Sequence, residues 1–173
     1  EALLAQAGEL EQAFSKHTEV GALKVGATLT IGNYLAVGVM AQYMNTPTHP
    51  IVALEVANTR TIAQRVKDFE LDIGLIEGEL QSSELEVIPW RGDELVIFCS
   101  PDHPFARKER LSDADLRSAT WVMREQGSGT RQTFERGMHG LLPDLDILLE
   151  LEHTEAIKRA VEANLGIGCL SRV

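Results

Sequence analysis

The sequence predicts an α/β protein of two similar lobes, each with a largely parallel sheet covered by helices. Strand and helix patterns alternate along the chain, and the strand candidates are continuous apolar runs, which is typical of strands buried on both faces. The stretch 58–76 is also echoed in kind by 153–170, because each contains a threonine at a helix start, a helix and a following strand, with Ile62 matching Ile157. A chance similarity between two generic units of this kind is the alternative.

The first half of the chain opens with a predicted helix and continues with alternating elements. Apolar residues spaced by three and four form a narrow stripe over residues 1–18, which indicates an amphipathic helix. The apolar strand candidates that follow are 22–27, 51–57, 71–76, 84–90 and 94–100. The helix candidates between them are 34–44 and 61–69, and the second is marked by Ile62, Val66 and Phe69 at helical spacing.

The second half begins with SPDHP, residues 100–104, whose two prolines interrupt strand pairing and indicate a crossing between the lobes. A short helix is predicted over 111–118, with Ser112 as its N-cap because a serine oxygen accepts from an unpaired N–H of the first turn. The remaining strand candidates are 121–123, 146–152 and 166–171, and the remaining helices are 132–142 and 154–164. Since the last strand ends so near Val173, we expect a fragment whose missing part completes a sheet.

The composition of the chain excludes several classes of function. A chain of 173 residues that is 44% hydrophobic can bury roughly 70% of the surface exposed when it is unfolded. The net charge of -10 argues against this chain itself holding a nucleic-acid backbone, which requires clustered lysine and arginine. Neither a membrane span nor a signal peptide is visible. Cys99 and Cys169 lie in apolar runs and are expected as buried thiols, which favours a cytoplasmic location.

Short polar residues stand where predicted strands lead into helices. In open α/β sheets, ligands bind outside the carboxyl ends of the strands. The residues at these turns are Thr28 and Thr30, Asn58 and Thr59, and Ser128, Gly129, Thr130 and Arg131. Unpaired N–H groups and partial positive charge at helix starts suit an anion, and glycine permits close backbone approach. For any one hydroxyl alone, simple helix capping is the alternative.

Motifs for catalysis, metal binding and cofactor binding are missing from the sequence. The five histidines have neither the H-E-x-x-H nor the C-x-x-C arrangement of metal sites. Ser128 lies in QGSGT rather than in G-x-S-x-G, and GSGT lacks the lysine of a phosphate-binding loop. We therefore predict a binding protein with no catalytic residues, no metal and no cofactor.

Several motifs in order resemble one family. GALKVGATLTIGNYL, VANT, LDIGLIEG, DELVIFCSPDHPFA, REQGSGTR and EAIKRAVEANLGIGCLSR match, over residues 21–173, the effector-binding domain of LysR-type transcriptional regulators. TIGNY with IEG and REQGSGTR is similar to the branch near regulators of sulfur assimilation, which respond to small sulfur oxyanions. The resemblance implies two periplasmic-binding-protein-like lobes of type 2, with mostly parallel sheets and a cleft between them. The implied divisions are 1–19 as the end of a linker helix, 20–97 as the first part of lobe 1, 98–166 as lobe 2, and 167–173 as a strand returning to lobe 1.

The resemblance also implies a function and a pocket. A small anionic effector between the lobes would control transcription through a winged helix-turn-helix before residue 1, which is absent here, and the chain would form a homodimer or tetramer through lobe-to-lobe contacts, away from any membrane. The implied pocket consists of Thr28, Thr30, Asn58, Thr59, Glu77, Ser128, Gly129, Thr130, Arg131 and Thr154. Glu77 departs from the neutral residue of some members, and its carboxylate would repel an oxyanion unless it forms an ion pair or turns away. A periplasmic solute-binding protein for a small anion is the alternative function.

Overall fold

The computed structural model describes residues 21–48 and 50–173. The predicted helix over residues 1–18 lies outside the described residues. Within the described ranges, no helix combines the length and the apolar character needed to cross a membrane.

The first lobe is a three-stranded parallel sheet with a helix on each face. Its strands are β1 (Leu23–Ala27), β2 (Val52–Val56) and β3 (Ile73–Leu75), in the order β2-β1-β3. Helix α1 runs through Leu29–Ile31, a π-helical segment Gly32–Ala36, and Val37–Met44, and helix α2 is Thr59–Lys67. Because successive residues of a strand face opposite sides, Ala27 packs with Ile31 of α1, whereas Gly26 faces Ile62 of α2.

Two glycines let α2 pack close to this sheet. A Cβ atom on Gly26 would lie 2.9 Å from Ile62 Cδ1, and one on Gly74 would lie 2.8 Å from Ile62 Cγ2. Ile62 itself is completely buried. Larger residues at these two strand positions would therefore push the helix, and with it the helix start at Thr59, away from the sheet.

The second lobe is a four-stranded mixed sheet. Its strands are β4 (Leu95–Phe98), β5 (Thr120–Arg124), β6 (Asp146–Leu151) and β7 (Ile167–Ser171), in the order β4-β7-β5-β6, and only β4 is antiparallel to its neighbour. Its helices are α3 (Asp113–Ser118), α4 (Gly129–Gly137) and α5 (Thr154–Glu162), with 3-10 turns at Pro104–Arg107 and Leu142–Asp144.

The core of the second lobe lies on both faces of β5. Trp121 and Met123 pack with Phe134 of α4, whereas Val122 packs with Ile157 of α5. All of these side chains are at most 3% exposed. This alternation along β5 confirms the prediction of a strand covered by helices on both faces.

The structure confirms most predicted elements and corrects several bounds. Ser112 caps α3 in a reciprocal arrangement with Asp115, as predicted. Helix α1 begins five residues before the predicted 34–44, because buried Leu29 and Ile31 outweigh the weak helix propensity of TIGNY. Helix α4 begins three residues before the predicted 132–142, at a turn capped by Ser128, and it ends at Gly137.

One expectation about strands needs correction. The strand predicted over 84–90 is wrong: this segment has no regular structure, Pro89 has no N–H for a ladder, and Ile88 and Trp90 are exposed. The predicted lobe boundary at 97/98 falls inside β4, which pairs with β7 in the second sheet. The assignment of 20–97, 98–166 and 167–173 to lobes, including a return to lobe 1, stays a prediction.

Candidate functional site

Two seams hold the carboxyl ends of the two sheets against each other. The first seam joins the α2 start and the β3 end to the glycine turn before α4. Thr59 Oγ1 donates to the Glu77 carbonyl oxygen at 3.0 Å and accepts from Gly129 N at 3.1 Å. Arg60 N donates to the Gly127 carbonyl oxygen at 3.1 Å. In this seam, Thr59 and Gly129 connect the two lobes directly.

The space at the first seam is too small for any side chain on Gly129. A Cβ atom there would overlap the Glu77 carbonyl oxygen and come within 2.8 Å of Thr59 Oγ1. Gly127 adopts a positive φ of 97°, a backbone conformation that glycine favours. The two glycines of REQGSGTR therefore let two backbones meet.

The second seam joins α1 to α5. Tyr34 Oη donates to Glu155 Oε1 at 2.7 Å and accepts from Lys158 Nζ at 2.7 Å. Hydrogen bonds from Lys158 and then Tyr34 lower the pKa of the Glu155 carboxyl, and hydrogen bonds to Glu155 and then Tyr34 raise the pKa of the Lys158 ammonium. Tyr34 belongs to the π-helical segment of α1, an irregularity that is frequent at functional sites.

Three buried polar atoms near these strand ends have no hydrogen-bond partner among the described residues. They are Thr28 Oγ1, Arg124 Nη1 and Thr154 Oγ1, and their residues are 2%, 1% and 3% exposed. A buried polar group without a partner costs on the order of 1–3 kcal/mol. Such groups therefore indicate a place where a ligand or bound water completes the structure.

The topology places these three atoms at the carboxyl ends of strands in the two sheets. Arg124 ends β5 opposite Leu151 in the neighbouring strand β6, and Thr154 begins the helix that follows β6. Thr28 lies between β1 and α1 in the first lobe. The contact between Tyr34 and Glu155 holds the second turn of α1 beside the first turn of α5 across the two lobes. Two hydroxyls and one guanidinium thus lie where both lobes meet.

Two of the predicted pocket residues act as helix caps. Asn58 Oδ1 accepts from Thr61 N at 3.0 Å, and Ser128 Oγ accepts from Arg131 N at 3.4 Å. Each side-chain oxygen therefore satisfies an N–H of the first helical turn. The alternative of simple capping fits these two residues better than it fits Thr28, which makes no capping hydrogen bond.

The guanidinium of Arg131 is committed to protein groups. Its Nε contacts Glu135 Oε1 at 2.6 Å, and its Nη1 contacts the Arg124 carbonyl oxygen at 3.0 Å and Glu150 Oε1 at 3.4 Å. The sequence suggested that this residue brings positive charge to an anion. Two carboxylates already balance that charge, so the geometry favours a structural role.

Glu77 and Thr130 face each other beside the first seam. Thr130 Oγ1 donates to Glu77 Oε1 at 3.4 Å, and Thr130 is 2% exposed. Within the described ranges, Glu77 makes no ion pair with an arginine or lysine. Together with buried Thr30, both residues also border an open groove of about 1440 Å³, which continues along residues 84–93 and does not include the three unpartnered atoms.

Arg124 is a buried charged residue that the sequence reasoning left without a role. It is almost fully buried, and Glu125 holds it by two contacts, from Nε at 2.8 Å and from Nη2 at 3.0 Å. The sequence does contain a signal for it, because Arg124 directly follows the apolar residues Trp121, Val122 and Met123 at the end of β5. The motif REQGSGTR instead indicated Ser128, Gly129, Thr130 and Arg131 as site candidates.

The described residues offer no cluster of three or more histidine, cysteine, aspartate or glutamate side chains for a metal ion. Burial raises the pKa of the Cys169 thiol to about 12, so this group stays protonated near neutral pH and is a poor nucleophile. The chemistry that the site can perform is hydrogen-bond donation to a ligand.

Comparison with known proteins identifies the family. Residues 16–173 match the model of the LysR substrate binding domain. The chain belongs to this family. It is 43% identical over 171 residues to the HTH-type transcriptional regulator YeiE of Escherichia coli K12, covering 99% of the chain and 57% of YeiE. It is 34% identical over 158 residues to the HTH-type transcriptional regulator CysL of Bacillus subtilis, covering 90% of the chain and 52% of CysL.

Solved structures of this family confirm the predicted fold. The regulatory domain of Synechocystis CcmR in complex with 2-PG superposes with a TM-score of 0.78 at 28% identity, over 87% of this chain and 72% of that one. The effector-binding domain of QuiR in complex with shikimate gives a TM-score of 0.79 at 18% identity, over 88% of this chain and 74% of that one. The chain spans about half the length of the curated relatives it matches. These findings support the LysR effector-binding prediction over the periplasmic solute-binding alternative.

Proposed function

We propose that this LysR effector-binding domain senses a small anion held between its two lobes. The observation that carries the proposal is the pair of buried hydroxyls, Thr28 Oγ1 and Thr154 Oγ1, which have no partner in the described part of the chain and which begin helices of opposite lobes. Helix starts favour negative charge. CcmR and QuiR, which share this fold, are solved with small acidic ligands, 2-PG and shikimate.

The ligand would act by favouring one arrangement of the lobes. A ligand that touches both lobes shifts their equilibrium only as far as its affinities for the two arrangements differ. In the whole regulator, this shift would control DNA binding by a preceding winged helix-turn-helix, within a cytoplasmic homodimer or tetramer. The resemblance of TIGNY, IEG and REQGSGTR makes a sulfur oxyanion our first candidate. The proposal includes no catalytic step, since Ser128 caps α4.

We assign the pocket chiefly to Thr28 and Thr154, whereas Thr30 borders the open groove. The other residues implied by the sequence would support it from the seams. Thr59 and Gly129 connect the lobes, Asn58 and Ser128 cap helices, and Glu77 with Thr130 borders the open groove.

A thermal-shift panel of sulfite, sulfate, thiosulfate, phosphate and 2-PG tests this function. A ligand present at 100 times its Kd adds about 2.7 kcal/mol to the free energy of unfolding, so we expect at least one anion to raise the melting temperature. Thr28→Val and Thr154→Val should each remove most of that rise, because each removes one donor while keeping the shape of the side chain. Thr61→Val is the matched control, since Thr61 is an exposed threonine in α2. A panel without any shift, or equal shifts in all three variants, would contradict the proposal.

A further inference from the structure

We propose that Arg124, and not Arg131, supplies the cationic contact to the ligand, and that the ligand is a compact oxyanion presenting a negatively charged oxygen to the end of β5. This inference rests on the proposed function and deepens it. It assigns a binding role to a residue of REQGSGTR that the sequence left without one.

The position of the guanidinium leaves one side of it available. Nε and Nη2 of Arg124 are held by the two carboxylate oxygens of Glu125, at 2.8 and 3.0 Å. Nη1 is buried and has no partner in the described ranges. A guanidinium has only donors, so any group that satisfies Nη1 must be an acceptor. The Glu125 contact also fixes the plane of the fork before a ligand arrives, which lowers the entropy lost on binding.

Arg131 supports the backbone of Arg124. Its Nη1 donates to the carbonyl oxygen of Arg124 itself, and its Nε contacts Glu135. The two arginines therefore have different tasks: Arg131 holds the end of β5, and Arg124 has an unpartnered N–H pair at Nη1. A ligand that engaged Nε or Nη1 of Arg131 would first have to displace a protein acceptor.

The charge balance indicates how the site attracts an anion. The net charge of -10 opposes the approach of any anion, and the Arg124 and Glu125 charges cancel formally. Binding must then depend on directed N–H and O–H groups at short range. Arg124 Nη1 with the hydroxyls of Thr28 and Thr154 can donate to three separate oxygens. A tetrahedral or pyramidal oxyanion provides three acceptors within a small volume.

Calorimetric titration with sulfite and with phosphate tests the assignment. We expect Arg124→Lys to weaken the Kd of the bound anion about ten- to a hundredfold, because a lysine keeps the charge but cannot hold Glu125 and the ligand with one planar fork. Arg131→Lys, which keeps the Arg124 guanidinium and loses one support of the β5 end, should lower the melting temperature and weaken that Kd less than Arg124→Lys does. Arg117→Lys, the matched control at an arginine that pairs with Asp144, should leave the Kd unchanged. An unchanged Kd in Arg124→Lys, or a loss of affinity in Arg131→Lys alone, would overturn the inference and leave the proposed function standing. Absence of binding in the unaltered protein would contradict the proposed function itself.

A second measurement avoids dependence on the folding of a variant with a changed buried arginine. Nitrogen-detected NMR of the guanidinium groups in the unaltered protein should show the Arg124 Nη signals shifting and exchanging more slowly with water when sulfite or phosphate is added. The Arg131 signals, identified by their loss in Arg131→Lys, should not move. The reverse pattern would place the anion at Arg131 and refute the assignment.

Discussion

At the scale of single residues, the two terminal glycines of α4 have opposite surroundings. A Cβ on Gly129 would overlap the carbonyl oxygen of Glu77 in the facing lobe, whereas a Cβ on Gly137 would meet nothing within 4 Å. Neither glycine has a positive φ. The difference between the two positions is therefore one of space, which makes them a clean pair for testing the first seam.

We expect Gly129→Ala to lower the free energy of unfolding by about 2 kcal/mol or more, because overpacking against a backbone cannot be relieved by a rotamer change. Gly137→Ala should leave the free energy of unfolding unchanged or raise it by up to about 1 kcal/mol, since alanine is the better helix former. Urea unfolding of the two variants measures both values. Equal stabilities would show that the lobes do not touch at Gly129 in solution.

At the scale of elements, α3 carries a pH-dependent contribution to stability. Asp115 completes the capping box with Ser112, and hydrogen bonds from Lys108, then from the backbone and side chain of Ser112, lower the pKa of its carboxyl to about 2. The pKa is lower in the folded state than the ordinary 3.8. The contribution is therefore fully present above about pH 4 and is lost as the pH falls towards 2.

Asp115→Asn should consequently lower the melting temperature at pH 7, and the difference from the unaltered protein should shrink as the pH is reduced from 5 to 3. Asp113→Asn is the control, because Asp113 lies in the same first turn but does not complete the capping box. Calorimetric melting curves at several pH values provide the comparison. A difference in melting temperature that stays constant from pH 7 to pH 3 would argue against this role for Asp115.

Local patterns explain which elements the sequence could predict. The cap at Ser112 and the Ile62 and Val66 spacing of α2 depend on neighbours within one turn, so they were readable without tertiary structure. The start of α1 was not, because Leu29 and Ile31 become helical through burial against the sheet. The proposed role of Arg124 was equally hidden, since it involves Thr28 and Thr154, which are far away in sequence.

At the scale of the whole molecule, two seams hold the lobes together. The first seam is made by backbone groups and Thr59, and the second by exposed side chains centred on Tyr34. The close backbone contact between Gly129 and Glu77 leaves little room for adjustment. The second seam can open when the side chains of Tyr34, Glu155 and Lys158 rotate. We therefore expect this seam to limit the access of a ligand to the buried donors.

Tyr34→Phe tests that expectation without touching the buried donors. The change removes the hydroxyl that joins Glu155 and Lys158, and the net value of one such hydrogen bond corresponds to about a two- to tenfold weaker Kd for the anion. Tyr43→Phe is the matched control, since Tyr43 is an exposed tyrosine of the same helix. Because the removed hydroxyl lies outside the pocket, the variant should bind the same anions as the unaltered protein. The loss of affinity should appear as faster dissociation of the anion. Identical Kd values for the two variants would mean that α1 and α5 are not held together by this contact, and that the first seam alone keeps the lobes in place.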